Sequence, residues 1–411
     1  MAVVLIGTLD TKGRELGLVR DILRGRGIET LVVDAGSQGP PTTRPEISRE
    51  EVFRRAGISV GSLRDRGEAV SKAAEGVAAV VAELHREGRV EGVFGLGGSA
   101  GTVIGTSAMR ALPFGVPKVM VSTLASGQTR PYVGGSDIAM FYPVADLAGL
   151  NRLTRTALSN AAHALAGMVL APKVVEPPGA SKPAVAATMF GVTTPCVDRA
   201  RQGLEAQGCE VLVFHATGIG GQSMEGLIRD GEVDAVLDLT TTELADELVG
   251  GTLSAGPDRL EAAVCRGIPQ VISVGALDMV NFGPMDSVPE RFRGRKFHRH
   301  NASVTLMRTT PEENDRIGRR IGEVLARASV PTVVLLPMGG VSAIDAPGQP
   351  FHDPEADSAL FRAIHESLDD HPLVTVVDRA HHINDPEFAD QAAFLLRVLM
   401  TPDPQPEAPR R

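Results

Sequence analysis

The hydrophobic and polar positions of this chain alternate between short apolar runs and longer amphipathic segments. The apolar runs are continuous, as is typical of parallel strands that are buried on both faces. They predict strands at residues 2–6, 31–33, 90–94, 118–122, 184–189, 211–214, 235–239, 270–274, 332–336 and 374–377. Between most of these runs, apolar residues recur at helical spacing, as at Val77, Val80, Val81 and Leu84. Strands that alternate with helices predict an α/β protein with parallel sheets.

A stretch that contains Pro177-Pro178-Gly179 divides this pattern into two halves. We interpret residues 172–183 as a linker, because proline and glycine there interrupt regular structure. Residues 1–171 and 184–400 are each predicted to form a Rossmann-like domain with a doubly wound parallel sheet. Residues 401–411, rich in proline and charge, predict a disordered tail.

The most informative loop of the first half runs from Gly95 to Thr102, with the sequence GLGGSAGT, between a predicted strand and a predicted helix. Glycines let a backbone approach a ligand closely, and the free N–H groups of a helix N-terminus favour an anion. The loop is not a P-loop, and no acidic residue follows about 20 positions later, so NAD is disfavoured. A phosphate site is favoured over a tight turn that only packs the helix on its sheet.

Other loops that follow strands in the first half supply polar residues that suit a nucleotide. In open parallel sheets, ligands bind beyond the carboxyl ends of the strands. Lys12 and Arg130 can neutralise phosphate charge, although a solvated lysine explains Lys12 equally well, and Asp10 can hold Mg²⁺ or a ribose. The candidate nucleotide-binding side chains are those of Asp10, Thr11, Lys12, Asp34, Ser99, Thr102, Ser122, Thr123, Ser126 and Arg130.

The second half is unusual for the histidine, aspartate and asparagine residues that follow its predicted strands. Histidine is both a near-neutral acid or base and a common metal ligand, so several histidines in one cleft would form a catalytic centre. The candidate catalytic residues are His215, Asp278, Asn281, His300, His381 and Asp385. Individually satisfied loop residues are the alternative, and no spacing indicates a metal site. The glycine-rich stretch Gly250 to Gly256 is a candidate lid or second anion site.

Composition narrows the function further. The 411-residue chain carries a net charge of −9, no Trp and only two Tyr, which argues against nucleic acid and anionic membranes as partners. No run reaches the roughly 18 apolar residues that a membrane span needs. Three scattered cysteines suit a reducing compartment, and the first apolar run lacks a basic leader, so we expect a cytoplasmic protein. Cys196 follows a predicted strand-to-helix turn and is more simply explained as a buried, inert thiol.

Several of these stretches together resemble the Tm-one-like ATP-binding domain family. This domain forms the N-terminal part of a plant tobamovirus-resistance protein and occurs as a separate protein in many bacteria. The stretches are residues 7–13, 95–99, 121–127, 190–195 and 238–258, and the resemblance extends over residues 2–399. It implies two Rossmann-like subdomains, ATP bound mainly by the first, and a homodimer. The family's ATP-site motifs fall here on Thr8, Asp10, Lys12, Gly97, Gly98, Ser99, Gly101, Thr102, Ser122, Thr123, Ser126 and Gly127. Ala100 stands where a glycine is usual, and the family has no assigned reaction.

These patterns lead to one main hypothesis and two alternatives. The main hypothesis is an ATP-dependent enzyme that transfers a phosphoryl or adenylyl group to a small anionic metabolite in a cleft between the domains. Lys12 would neutralise phosphate charge, Asp10 would hold Mg²⁺, and His215 or His381 would act as the base. The alternatives are a nucleotide-binding regulatory or scaffold dimer without turnover, and a lyase or hydrolase with a regulatory nucleotide.

Overall fold

Two units make up the chain, residues 1–175 and 176–411. The computed structural model describes residues 1–127, 129–172 and 182–401. Most of the predicted linker at 172–183, and the predicted tail after residue 401, therefore lie outside the described residues. No helix in the described part of the chain is long and apolar enough to cross a membrane.

A five-stranded parallel sheet forms the centre of the first unit, in the order β2-β1-β3-β4-β5. The elements are β1 (Ala2–Gly7), α1 (Leu9–Arg24), β2 (Thr30–Asp34), α2 (Arg49–Arg55), α3 (Arg66–Arg86), β3 (Val90–Gly97), α4 (Ser99–Arg110), β4 (Lys118–Ser122), α5 (Arg130–Val133), β5 (Ala139–Phe141) and α6 (Arg152–Leu170). Successive residues of β1 point to opposite faces, so Val4 and Ile6 enter one apolar core while Val3 and Leu5 enter the other. Helices cover both faces, and the carboxyl ends of the strands remain open to side chains from the loops.

The second unit repeats this architecture with six parallel strands, in the order β14-β13-β9-β8-β6-β7. Its elements are β6 (Ala184–Met189), α7 (Thr194–Ala206), β7 (Glu210–His215), α8 (Ile219–Asp230), β8 (Ala235–Thr240), α9 (Glu243–Val249), α10 (Glu261–Arg266), β9 (Gln270–Gly275), β10 (Met279–Phe282), β11 (Phe297–Arg299), β12 (Thr305–Arg308), α11 (Pro311–Leu325), β13 (Thr332–Pro337), α12 (Pro354–Leu368), β14 (Val374–Arg379) and α13 (Pro386–Met400). The predicted α/β class with two doubly wound parallel sheets is confirmed, and all ten predicted strands are present.

One part of the second unit differs from the sequence-based expectation. β10, β12 and β11 form a separate antiparallel sheet, whereas the segments around Asn281 and His300 were expected to be loops at the ends of parallel strands. Asn281 lies within β10, opposite Leu306, and His300 directly follows β11. The pattern failed here because β11 has only three residues and two of them, His298 and Arg299, are polar.

Candidate functional site

A cavity of about 430 Å³ lies at the carboxyl ends of β1 and β3 in the first unit. This is the point at which the strand order reverses, because β2 lies on one side of β1 and β3 on the other. The lining residues come from the ends of strands β1, β2 and β3 and the loops and helices that follow them. They are Thr8, Asp10, Thr11, Lys12, Ala35, Ser37, Gln38, Arg66, Ala69, Val70, Gly97, Gly98, Ser99, Ala100, Gly101, Ile104 and Asp146.

The N-terminus of α4 forms one wall of this cavity. Its N-cap is Gly98, which has no side chain to bond the free N–H groups, and the first helical hydrogen bond runs from the N–H of Thr102 to the oxygen of Gly98, at 2.8 Å. Within the described residues, the N–H groups of Ser99, Ala100 and Gly101 donate to no acceptor. The wall therefore presents three free donors and the positive end of a twelve-residue helix.

Glycine is required at Gly97 and Gly101 because the strand and the helix meet so closely there. A Cβ at Gly97 would lie 2.8 Å from the Cα of Gly101, and a Cβ at Gly101 would lie 2.9 Å from the oxygen of Leu96. Both contacts are with backbone atoms, which cannot move aside as a flexible side chain can. The glycines thus fix the turn that exposes the α4 donors.

Two cations border the cavity. The ammonium of Lys12 donates a hydrogen bond to the carbonyl oxygen of Leu147, which holds it beside the cavity. Arg66, the first residue of α3, is exposed and has no carboxylate partner among the described residues. The sequence analysis did not include Arg66. Its position could have been inferred, because Asp65 and Glu68 have the spacing of a helix N-cap and so place Arg66 in the first turn of α3.

Asp10 lines the cavity but is already partly neutralised. Its Oδ2 accepts a hydrogen bond from the N–H of Gln38 at 3.0 Å and lies 4.0 Å from Nη1 of Arg49. The described residues contain no group of three or more histidine, cysteine or acidic residues that could hold a metal ion. Mg²⁺ is commonly bound by one carboxylate together with substrate phosphates, so Asp10 fits a magnesium ion that arrives with a phosphate ligand.

The remaining predicted nucleotide residues lie outside the cavity lining. Asp34 accepts hydrogen bonds from the N–H groups of Leu9 and Gly36 and pairs with Arg49 at 2.8 Å, so it orders the loops beneath the cavity. The buried hydroxyls of Thr102 and Ser122 bond to each other at 2.6 Å. Asp34, Thr102 and Ser122 therefore bond within the protein beside the cavity. The other predicted nucleotide-binding residues outside the lining are Thr123, Ser126, Gly127 and Arg130.

The candidate catalytic residues of the second unit fall into separate places. Asp278 accepts a hydrogen bond from Ser342 Oγ at 2.8 Å, and the Ser342 carbonyl oxygen lies 2.8 Å from Nε2 of His382. Asp385 accepts a hydrogen bond from the N–H of His382 at 2.8 Å, so it belongs to the same group. His382, which the sequence-based hypothesis did not include, joins two of its members.

The other four candidates are not joined to that group through their side chains. Asn281 donates to Oδ2 of Asp246 at 2.7 Å, and this carboxylate also accepts from the N–H of Leu253 and so anchors the loop Gly250 to Gly256. Among the described residues, no hydrogen bond or ion pair links the side chains of His215, His300 or His381 to another candidate. His215 ends an edge strand, and His300 is exposed.

Burial dominates the electrostatics of the Asp278 group. Desolvation raises the pKa of Asp278 to about 7, and nearby Arg308 opposes this shift. Burial likewise raises the pKa of Asp357, which pairs with Arg308 at 2.7 Å, to about 8. A carboxyl group with a pKa near neutral suits acid–base chemistry. Asp278 is completely buried, however, and so has no contact with solvent through which a substrate would reach it.

The Asp278 carboxyl should make folding depend on pH. Because its folded pKa is above the ordinary value of 3.8, the folded chain keeps a proton that the unfolded chain loses, and stability falls as pH rises from about 4 to about 7. Asp278→Asn cannot lose a proton, so its free energy of unfolding relative to wild type should rise by about 2 kcal/mol between pH 5 and pH 8. Denaturant unfolding at both pH values measures this difference.

Ser342→Ala provides a control of opposite sign. The Ser342 hydrogen bond lowers the pKa of Asp278, so its loss should raise that pKa further and extend the fall in stability to higher pH. Parallel pH profiles for Asp278→Asn and wild type would show that Asp278 does not titrate in this range.

Arg259 is a buried cation in the second unit, and several carboxylates surround it. Its guanidinium pairs with Asp238 at 2.5 Å, with Glu243 at 2.8 Å and with Glu225 at 3.4 Å, and the Arg259 side chain is fully buried. Glu243 also accepts from the N–H of Gly218 at 2.7 Å, which ties the turn after β7 to the network. The group joins α8, β8 and α9 to Arg259 in the interior, so we assign it a structural role.

Comparison with known proteins places this geometry in a family. Residues 1–173 match the N-terminal domain, and residues 182–400 the C-terminal domain, of the uncharacterised protein family UPF0261. The chain belongs to the UPF0261 family. A UPF0261 protein of Clostridium tetani is 53% identical over 401 residues, which cover 97% of this chain and 98% of that protein. The resemblance inferred from the sequence is thereby confirmed at the level of the family. The family is described as uncharacterised and so gives no activity.

Plant relatives of the UPF0261 chain are longer. The ToMV resistance protein Tm-1(GCR237) of Solanum lycopersicum is 46% identical over 409 residues, which cover 94% of this chain and 54% of that protein. The chain therefore spans about half the length of the tomato relative. A solved UDP-N-acetylglucosamine 2-epimerase of Rickettsia bellii shares 10% identity over 66% of this chain and 78% of that chain, and its TM-score of 0.23 is too low to support an argument.

Proposed function

We propose that the chain binds ATP through its phosphates at the cavity of the first unit. The observation that carries the proposal is the group of three free N–H donors, from Ser99, Ala100 and Gly101, at the uncapped start of α4. Such donors, aligned with the helix dipole, are well suited to phosphate oxygens. The family resemblance supports ATP as the phosphorylated ligand.

The surrounding side chains support a ligand with several negative charges. Lys12 and Arg66 place two cations at the cavity, and Ser99 and Thr11 add hydroxyl groups. Asp10 would hold Mg²⁺ together with phosphate oxygens, and that ion would neutralise part of the phosphate charge. The apolar side chains of Val70 and Ile104 offer a surface for the less polar part of the ligand.

We consider two functions for the bound nucleotide. In the first, the protein is an ATP-dependent enzyme that transfers a phosphoryl or adenylyl group to a small anionic metabolite. In the second, a cytoplasmic homodimer binds ATP without turnover. The second is favoured by one observation, which is that the side chains of His215, His300 and His381 join no common group among the described residues. Calorimetric titration with MgATP, followed by assays of ADP and pyrophosphate formation with a panel of carboxylates and sugar acids, separates the two functions.

Arg66 should contribute directly to the affinity for ATP. Arg66→Gln removes one of the two cations at the cavity, and we expect MgATP to bind about three- to tenfold more weakly in titration calorimetry. Arg64→Gln is a matched control, because Arg64 is two residues away and exposed, but pairs with Glu68 and does not line the cavity. Equal affinities for the two variants would remove Arg66 from the site.

A further inference from the structure

A strained turn follows β5 at the edge of the cavity. Val144 has a φ of 65°, and the N–H of Ala145 bonds to the oxygen of Pro143 at 2.7 Å, so these three residues form a γ-turn with positive φ at its centre. This conformation is rare, and it is particularly unfavourable for a β-branched residue. Val144 is 72% exposed, so packing of its side chain does little to compensate for the strain.

The chain is fixed on both sides of this turn. Before it, Phe141 pairs with Val121 in the parallel sheet. After it, the side chain of Leu147 is fully buried in an apolar core, and the N–H of Gly149 bonds to Glu15 at 2.8 Å. Residues 142–146 are thus a short segment between two anchored ends, and we call them the 142–146 segment.

The 142–146 segment reaches the proposed phosphate site through its last residue. Asp146 lines the cavity together with Lys12, whose ammonium bonds to the next residue's carbonyl oxygen. A phosphate that enters this cavity would place negative charge close to the Asp146 carboxylate and would attract Lys12. Like charges at close range repel, so a bound phosphate would push the Asp146 carboxylate out of the cavity.

We propose that the 142–146 segment is a ligand-responsive gate, which leaves its strained γ-turn when a phosphate ligand occupies the cavity. The inference rests on the proposed function, because it needs a phosphate at α4. Since the ends of the segment are anchored, displacement of Asp146 is absorbed by the γ-turn, and the strain at Val144 favours this change. Strain stored in the free protein and released on binding adds to the affinity for the ligand.

A tryptophan reporter detects the movement. The chain has no Trp, so Tyr142→Trp, at a position that is 45% exposed, gives a single signal from the segment that can be excited where ATP does not absorb. We expect its emission to change and to saturate with inorganic tripolyphosphate and with MgATP. Phe114→Trp is the control, because Phe114 is 61% exposed and lies before β4, at the opposite end of the sheet, where its emission should stay constant.

Removal of the strain at Val144 tests whether this strain contributes to the affinity for the phosphate ligand. Val144→Gly accepts positive φ without cost, so the free protein should gain thermal stability while tripolyphosphate and MgATP bind about fivefold more weakly or worse. Val144→Ala loses the two γ-methyl groups but keeps its Cβ, so it should relieve part of the strain and bind with an affinity between those of wild type and Val144→Gly. Wild-type affinity in Val144→Gly, with raised stability, would mean that the strain persists in the bound state and would overturn the proposal.

The outcomes distinguish the gate from the function on which it rests. If wild type binds neither tripolyphosphate nor MgATP in calorimetry, the proposed function fails and the gate fails with it. If wild type binds them while the Tyr142→Trp emission stays silent, only the gate is wrong. A saturating emission change together with weaker binding by Val144→Gly supports both.

Discussion

Arg259→Leu is expected to lower the free energy of unfolding of the second unit by about 3–5 kcal/mol. Among the described residues, Arg259 is the one cation that pairs with Asp238, Glu243 and Glu225, and the substitution leaves these three buried carboxylates without it. An unpaired buried charge must either stay desolvated or take up a proton, and both cost free energy at neutral pH. Denaturant unfolding of the full chain, followed by circular dichroism, measures the loss.

Arg199→Leu is the matched control for Arg259→Leu. Arg199 forms a two-point ion pair with Asp390, but both side chains are about half exposed, so its loss should leave the unfolding midpoint close to wild type. The defect of Arg259→Leu should also shrink at pH 5, where the carboxyl groups that lost Arg259 protonate more readily. A midpoint for Arg259→Leu equal to that of Arg199→Leu would show that the buried network does not hold the unit together.

The parallel sheets were predictable because a strand buried on both faces leaves an unbroken apolar run. Ala2–Gly7 and Gln270–Gly275 are such strands, and their bounds differ from the predicted ones by a single residue. β5 was missed because it has three residues at the sheet edge, all of them partly buried. The antiparallel sheet of β10, β12 and β11 was missed for a similar reason, since its strands have only three or four residues and carry little periodicity.

The candidate site was predictable where it depends on backbone and on chain order. Loops after parallel strands meet at one edge of the sheet, and this placed Lys12 and Ser99 together correctly at the cavity. The direction of a side chain is not encoded in that rule, so Thr102 and Ser122 were assigned to the ligand although they bond to each other. Arg66 lies at the start of α3, which does not directly follow a strand. A rule about loops after strands therefore does not predict it.

Contacts between distant charges were beyond the reach of sequence patterns. Glu225, Asp238 and Glu243 meet at Arg259 only because α8, β8 and α9 pack around one point. The histidines of the second unit were expected to meet because they follow strands. Their side chains nevertheless lie apart from one another in hydrogen bonding and ion pairing among the described residues. A loop after a strand fixes where the backbone emerges, whereas the packing of neighbouring loops decides where the side chain points.

Ala100→Asp is expected to abolish measurable binding of MgATP, with an affinity at least about a hundredfold below wild type. Ala100 lies in the first turn of α4 and lines the cavity, so the new carboxylate would stand among the free N–H groups of Ser99 and Gly101. It would occupy donors that we assign to phosphate and repel the remaining phosphate charge. An acidic residue in the first turn also interacts favourably with the helix dipole, so the thermal midpoint of Ala100→Asp should equal or exceed that of wild type.

Ala100→Asn separates charge from size in this experiment, because asparagine has nearly the same shape as aspartate without the charge. We expect Ala100→Asn to lose much less affinity than Ala100→Asp in titration calorimetry, with both proteins folded. This combination of intact stability and lost binding distinguishes blocked donors from a damaged fold. Equal binding of MgATP by wild type and Ala100→Asp would mean that the start of α4 does not hold the phosphates, and the nucleotide site would have to lie elsewhere.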